Sequence, residues 1–253
     1  MRITFLGTGT SMGVPVAGGF GSELTSNDPR NNRTRCAAWI EGENTSILID
    51  VGPEFRIQSI RAQIKRVDHV LLTHEHMDHI GGLDDLRAYN YVQEGEIPVY
   101  GTDSCLESLK KRFDYLFGEN KYPGSASIQL TNIKNTLQLG EFTVKPLPVT
   151  HGPLDILGYR IDDFVYLTDV KHIPDSTKDL IRGAKVVALS ALRWGPTHPT
   201  HLTIPESVDI INELEIPTAY LIHMDSSVDQ QEANKRLPSH IKLAYDQQVL
   251  MLD

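Results

Sequence analysis

The sequence is poor in cysteine, poor in positive charge, and free of long apolar runs. Its two cysteines among 253 residues, Cys36 and Cys105, are too few for a disulfide framework and are not spaced as a metal-binding pair. They read as buried or spare thiols. No stretch approaches the roughly 20 apolar residues that a membrane-spanning helix needs. The N-terminal run Met1-Arg2-Ile3-Thr4-Phe5-Leu6-Gly7 meets Gly and Thr before a signal-peptide core could form, so a cytoplasmic address is expected. Lys and Arg number 24 against 33 Asp and Glu, a formal charge of −9. Such a chain has no general attraction for nucleic-acid polymers or anionic membranes, where phosphate neutralisation dominates binding. Arg30, Arg33 and Arg35 crowd one segment as a local exception, and a small anionic substrate stays compatible with the charge.

What is present is ordinary globular composition, 40% apolar and 23% charged. With no repeat, low-complexity tract or linker, a single domain over residues 1–253 is expected. Arg2–Leu6 reads as a strand broken by Gly7-Thr8-Gly9-Thr10, and 11–33 has loop composition. Cys36–Glu41 and Ser46–Asp50 read as paired strands across a Gly-Glu-Asn turn. Val67–Thr73 is an apolar, β-branched run that ends in histidines. Further strands are expected at Thr143–Val149, Gly158–Ile161, Val165–Thr168, Val186–Ser190 and Ala219–His223. Helices are expected at Leu83–Val92, Asp103–Leu116, Pro174–Ile181 and Pro205–Leu214, two of them opening with a proline that has no N–H to leave unpaired. Strands mixed with helices, without strict alternation, imply an α+β arrangement of layered sheets covered by helices. The aromatics Tyr89, Tyr91, Phe113, Tyr115 and Phe117 are expected in the core.

The chemistry is concentrated in Thr73-His74-Glu75-His76-Met77-Asp78-His79. Imidazole nitrogen and carboxylate oxygen together suit zinc, manganese or iron. In an extended segment His74 and His76 project to one side, where they can share a cation. A turn into a helix near Gly81-Gly82-Leu83 then swings Asp78 and His79 toward an adjacent position, and the glycines let backbone pack closely beside the site. His151, Asp169 and His223 each follow an apolar strand, at a place where an ionisable residue is otherwise hard to explain. Their convergence with the cluster is the main argument for a metal centre.

The pattern His74-x-His76-x-Asp78-His79, followed in order by His151, Asp169 and His223, resembles the metallo-β-lactamase superfamily. The resemblance implies a four-layer αβ/βα sandwich with two divalent metal ions, zinc or manganese, between the sheets. It implies that His74, His76 and His151 hold one metal, Asp78, His79 and His223 the other, and that Asp169 bridges them. Within the superfamily, Phe5-Leu6-Gly7-Thr8-Gly9-Thr10-Ser11-Met12-Gly13-Val14-Pro15 is similar to the opening of the branch containing tRNA 3′-processing endonucleases and PhnP-like cyclic phosphodiesterases. Asp28-Pro29-Arg30-x-x-Arg33-x-Arg35, the run Gly82–Asn90, Ala191-Leu192-Arg193 and His198-Pro199-Thr200-His201-Leu202-Thr203 also look PhnP-like. In that branch a histidine contacts the scissile phosphate and acts on the leaving oxygen. Here the equivalent is His201, with His198 as its competitor. The cysteine cluster that binds a structural zinc in PhnP-type proteins has no counterpart in Ala17–Leu24, so that metal is not expected.

The resemblance implies a metal-dependent phosphodiesterase acting on a small, cyclic phosphodiester. A dinuclear centre lowers the pKa of a water between its ions and neutralises charge on a phosphoryl oxygen. Asp78 would bind metal and orient the nucleophile, His201 would act on the leaving group, and Arg193 or Arg35 would steer the remaining phosphate charge. The alternatives are a thioester or lactone hydrolase using the same metals and, behind it, an RNA-processing nuclease, for which neither a protruding arm nor a positive balance is seen. A non-catalytic binding module would have lost a ligand, and every ligand type is present. Relatives of this kind are often dimers, and a homodimer is compatible with a chain in which no stripe marks an interface.

Overall fold

The computed structural model describes residues 1–19, 27–118 and 121–252. Six strands run in chain order through the first half: β1 (Arg2–Gly7), β2 (Ala37–Glu41), β3 (Ser46–Ile49), β4 (His69–Leu71), β5 (Ile97–Gly101) and β6 (Ile128–Asn132). Seven follow in the second: β7 (Leu137–Leu139), β8 (Phe142–His151), β9 (Leu154–Ile161), β10 (Phe164–Leu167), β11 (Val186–Ser190), β12 (Thr218–Ile222) and β13 (Ile241–Leu243). A last strand, β14 (Gln248–Met251), returns to the first sheet. Its order is β14-β1-β2-β3-β4-β5-β6, and that of the second is β13-β12-β11-β10-β9-β8-β7. Pairing is parallel from β3 through β6 and from β10 through β13, and antiparallel elsewhere. Parallel strands deliver their carboxyl ends to a common edge, which is what a site assembled from distant residues requires.

The helices are α1 (Phe55–Ala62), α2 (Met77–Ile80), α3 (Arg87–Gln93), α4 (Asp103–Arg112), α5 (Asp175–Ile181), α6 (Ile204–Glu213) and α7 (Gln230–Arg236). Three apolar layers account for the four-layer sandwich. Ile3, Phe5, Ile40 and Ile49 of the first sheet meet Tyr159, Phe164, Tyr166 and Ile222 of the second. Leu6, Leu48, Val70 and Val99 face outward onto Phe55 of α1 and Leu109 of α4. Leu167, Val187, Leu189 and Leu221 face Ile181 of α5 and Ile204 and Ile211 of α6. Strands covered on both faces read as continuous apolar runs, which makes them visible in the sequence.

The differences from expectation have physical causes. The run 83–92 is a 3-10 turn (Leu83–Leu86) leading into α3, and 103–116 is α4 followed by a break at Phe113 (φ −120°) and a second 3-10 turn. The strand expected at 158–161 begins at Leu154, because β8 and β9 form one long hairpin. Helices α1 and α7 are not marked in the sequence because FRIQSIRA and QQEANKR carry little apolar periodicity. Strands β5, β6, β7, β13 and β14 are likewise unannounced, being short segments whose pairing is settled by the rest of the sheet. Of the aromatics expected inside, Phe113 is buried and Tyr89 and Phe117 pack on the core, whereas Tyr91 and Tyr115 are exposed. The loop at 11–33 contains 3-10 turns at Ala17–Gly19 and Pro29–Asn31, while 20–24 of the cysteine-free stretch lie outside the described residues. Among the described residues, no helix is long and apolar enough to cross a membrane.

Candidate metal centre

The site is built where the parallel strands of both sheets end. Beyond β4, the second sheet pins the chain: the Tyr159 hydroxyl donates to Leu72 O (2.6 Å) and Leu157 N to Thr73 O (3.0 Å). The extended segment then places His74 Nε2 and His76 Nδ1 3.0 Å apart, on one side. α2 starts immediately after His76, earlier than expected, and its turn moves Asp78 and His79 to the adjacent position. That turn is packed backbone to backbone. A Cβ on Gly52 would lie 2.2 Å from Asp78 O, and one on Gly82 2.3 Å from Gly52 O.

All seven metal-ligand candidates singled out in the sequence converge here. Ligand-type atoms of His74, His76 and His151 lie within 4.8 Å of one another, and so do those of Asp78, His79, Asp169 and His223. Asp169 lies at the junction, with Oδ1 3.3 Å from His79 Nε2 and Oδ2 3.1 Å from His223 Nε2. Asp169 and His223 each follow closely on their strand with φ of 57° and 62°, a backbone region that non-glycine residues visit rarely and that recurs at functional sites.

The structure adds a residue that the sequence reading overlooked. Asp50, fully buried after β3 and also at positive φ (62°), accepts hydrogen bonds from Thr73 N (2.8 Å), Thr73 Oγ1 (2.8 Å) and His79 Nδ1 (2.7 Å). With the Thr73 hydroxyl donating to Asp50, its oxygen accepts from His74 Nδ1 (3.0 Å), which leaves His74 Nε2 a bare lone pair. The same carboxylate holds the proton of His79 on Nδ1. One buried acid therefore sets the tautomer of a histidine in each half of the site, the usual task of a residue behind metal ligands. Its signal was available: Asp50 ends an apolar strand, as the other site residues do. His151 is oriented likewise, its Nδ1 donating to Thr200 O (2.9 Å).

Several of these nitrogens lie close to carboxylate oxygens without a well-directed hydrogen bond. His79 Nε2, His223 Nδ1 and His223 Nε2 are buried and lack a hydrogen-bond partner, although His79 Nε2 is only 3.0 Å from Asp78 Oδ2. The distance is short but the direction is wrong for donation. Burial alone would raise the Asp78 carboxyl, yet the neighbouring His79 holds it at about 2. Burial also opposes charge on His79, but Asp169 and Asp50 pull its pKa well above the ordinary value. Burial and the nearby His79 push His74 well down. The centre is thus a cage of lone pairs and carboxylates in which positive charge is wanted, and its His/Asp donor set fits divalent cations.

His201 adjoins both halves. Its ring centroid is 4.6 Å from that of His151 and 4.7 Å from that of His223, and its buried Nδ1 has no partner. Burial, with the neighbouring His223, lowers its pKa to about 3, so the ring stands there neutral. His198 sits one ring further out, 5.0 Å from His201, with Nδ1 accepting from Thr200 N (3.3 Å) and Thr200 Oγ1 (3.2 Å). Of the two competitors, His201 is the one in contact with the centre.

The arginine segment does not form one basic patch. Arg30 is paired with Asp28, Arg35 with Glu54, and Arg33 is buried, donating to Asn31 Oδ1 (3.0 Å). Arg193 is less committed, with NH1 3.8 Å from Asp225 Oδ2. The opening motif also has a structural role beside the site: Gly9 N donates to Thr34 O and Thr10 N to Met224 O, so this backbone runs between residue 34 and the residue after His223. A Cβ on Gly9 would lie 2.9 Å from Arg33.

The beta-lactamase superfamily domain matches residues 45–224, from β3 to just beyond His223. A protein of Porphyromonas gingivalis named octanoyltransferase is 39% identical over 250 residues, covering 97% of this chain and 50% of that protein. A ribonuclease Z of Bradyrhizobium diazoefficiens is 26% identical over 161 residues, 62% of this chain and 48% of its own length. This chain thus spans about half the length of the curated relatives it matches. Among solved structures, a diphosphatase of the PhnP family superposes with a TM-score of 0.92 at 35% identity, over 100% of this chain and 98% of that one. The short form of human tRNase Z shares the fold, with a TM-score of 0.72 at 18% identity over the whole of both chains. The chain belongs to the metallo-β-lactamase superfamily of hydrolases, in the branch of PhnP and tRNase Z.

Proposed function

We propose that this protein is a metal-dependent phosphodiesterase that hydrolyses a small, cyclic phosphodiester. The observation that carries the reading is His201, a neutral imidazole set against both halves of the centre. The 35% identical PhnP-family structure, named a diphosphatase, supports phosphorus–oxygen cleavage at such a centre. We take His74, His76 and His151 to hold one cation, Asp78, His79 and His223 the other, with Asp169 between them. Two divalent cations, zinc or manganese, would supply charge neutralisation and a lowered water pKa there.

The chain's own residues do the rest. Asp50 and Thr200 keep the Nδ1 hydrogens of His79 and His151 turned away from the centre, so Nε2 of each ring presents a lone pair. Asp78, only partly buried, accepts a hydrogen bond from the attacking water and aims it at phosphorus. His201 donates an N–H to the leaving oxygen, and the negative charge of a bound phosphate moves its pKa back toward neutrality. Arg193 faces the remaining phosphate charge, since Arg35 is occupied by Glu54. A small substrate in the cytoplasm, with no nucleic-acid polymer as partner, accords with the net charge of −9.

The test is hydrolysis of bis(p-nitrophenyl) phosphate by protein supplied with manganese or zinc. Asp78→Ala should abolish it, and His201→Ala should retain metal while losing at least ~10-fold in turnover. Unchanged turnover in His201→Ala would remove that residue from the mechanism. A second reading is thioester or lactone hydrolysis at the same centre; the relative named octanoyltransferase, half of whose length this chain spans, bears on acyl groups alone. Both cysteines here are buried, and burial pushes Cys105 up to about 12, so neither thiol would carry an acyl group. Activity on acyl thioesters together with inactivity on phosphodiesters would establish that alternative.

A further inference from the structure

Three histidines of the centre are fixed from behind by a hydrogen bond on the ring. Nδ1 of His74 bonds the Thr73 hydroxyl, that of His79 bonds Asp50, and that of His151 bonds Thr200 O. His223 is held differently, since both of its ring nitrogens are buried without a hydrogen bond. Its ring is only stacked, with its centroid 4.7 Å from that of His201 and 6.5 Å from that of His79. A ligand ring without an orienting hydrogen bond must be aimed by its backbone. That backbone has a φ of 62°, a conformation that a non-glycine residue keeps only when its neighbours impose it.

The opening motif imposes it. Met224, the next residue, donates its N–H to Thr8 O (3.1 Å) and accepts from Thr10 N (3.1 Å), while Gly9 N donates to Thr34 O (2.8 Å). Residues 8–10 thus form a short ladder between Thr34-Arg35 on one side and Met224 on the other. Asp246, on the segment between β13 and β14, ties this ladder together. Its Oδ1 accepts from Thr8 N (2.9 Å) and Thr8 Oγ1 (2.8 Å), and its Oδ2 from Thr34 N (2.7 Å) and Thr34 Oγ1 (2.6 Å). Hydrogen bonds to an ionised group are roughly twice as strong as neutral ones. Gln247 N, bonded to Phe5 O (2.7 Å), anchors the segment that carries the carboxylate on β1.

We propose that Asp246 is a positioning residue for His223: by locking Thr8 to Thr34 it fixes the backbone that brackets Met224, and so aims the His223 ring at the cation site it shares with Asp78 and His79. The inference rests on the metal-centre reading given above. Only a carboxylate serves here, because the donors arrive in two pairs and each pair includes a backbone N–H that cannot reverse. In Asp246→Asn the NH₂ group would face the N–H of Thr8 or of Thr34, whichever way the amide is turned. A general clasp would add stability and nothing more. A positioning residue, when removed, loosens one cation and leaves the other, held by His74, His76 and His151, in place.

Chelator competition for zinc, starting from metal-free whole chain, reads the two cations separately. Wild type should take up two equivalents. Asp246→Asn should keep one at wild-type affinity and bind the other ~10-fold or more weakly, the scale of a lost orienting partner, with an unchanged circular dichroism spectrum. Thr8→Val removes one hydroxyl donor with little change of shape and should shift the same cation, whereas Thr8→Ser should restore it. This pair decides the question if Asp246→Asn does not fold. In metal-free protein the Met224 amide should exchange its hydrogen faster in Asp246→Asn and Thr8→Val than in wild type. Two tight equivalents in a folded Asp246→Asn protein overturn the inference and leave the metal centre standing. Equal weakening of both cations overturns it too, as the mark of a general loosening. A wild type that binds no zinc refutes the centre itself, and the inference with it.

Discussion

Replacing Asp50 by asparagine tests the tautomer argument without changing the volume of a buried side chain. In the Asp50→Asn protein the amide could still accept from Thr73 N through its one oxygen. Its NH₂ would replace Oδ2, which now accepts from Thr73 Oγ1 (2.8 Å) and His79 Nδ1 (2.7 Å). Donor would then face donor at both contacts. To relieve this, the Thr73 hydroxyl must turn its hydrogen toward His74 Nδ1, and His79 must accept at Nδ1. Both rings would then carry a hydrogen on Nε2, where a lone pair is needed. Loss of one orienting partner behind a metal ligand costs ~10–100-fold in metal affinity. Two disturbed rings, one in each half, should together cost ~100-fold or more by the same reasoning. Competition with a chromophoric chelator for zinc measures this directly, and circular dichroism confirms that the variant is folded. Asp50→Ala is the harsher change, since three buried donors would go unpaired at ~1–3 kcal/mol each, comparable with the whole stability of a domain. It should fail to fold. An Asp50→Asn variant that binds zinc as tightly as wild type would refute the assignment of both tautomers.

Three further outcomes follow from other parts of the molecule. Gly52→Ala sets a Cβ 2.2 Å from Asp78 O, a backbone atom that cannot give way cheaply, so urea unfolding should show a loss of ~1–3 kcal/mol and Asp78 should be displaced. An unchanged midpoint would show that α2 can shift freely. Removing divalent metal with a chelator should lower Tm by several degrees, because saturation at ~1,000-fold above Kd adds ~4 kcal/mol to the folded state. Identical melting with and without metal would count against a cation between the two sheets. Finally, Glu141 is held at about 2 by hydrogen bonds from the Thr45 hydroxyl and Asn44 N. A depressed carboxyl adds stability above its ordinary pKa and loses it as pH falls toward the folded value. The small Tm difference between wild type and Glu141→Gln should therefore shrink below about pH 4.5 and be flat above it, with solvent screening keeping it slight.

Much of the site was legible in the sequence because its residues break a rule. Apolar strands covered on both faces have no use for a terminal His or Asp, so His74, His151, Asp169 and His223 stood out after theirs, and the His-x-His-x-Asp-His spacing located the cluster. The strands of the sandwich core were legible for the same reason, as β-branched runs. Helices α1 and α7 were not, since packing rather than periodicity keeps FRIQSIRA and QQEANKR helical. Asp50 offered the same signal as the others, but its task depends on Thr73 and on a histidine 29 positions away, a relation that exists only after β3 and β4 pair. The choice between His201 and His198 was equally a matter of tertiary placement, because both lie in one loop and only distance to His151 and His223 separates them. The arginine segment makes the contrast plainest. Three like charges within six residues suggested a basic patch, whereas the fold buries Arg33 and pairs Arg30 and Arg35 with carboxylates. Sequence determined which chemical groups were available and which strands would be buried. Only the tertiary structure decided their partners, because burial and hydrogen bonding are properties of neighbours that the chain brings together by folding.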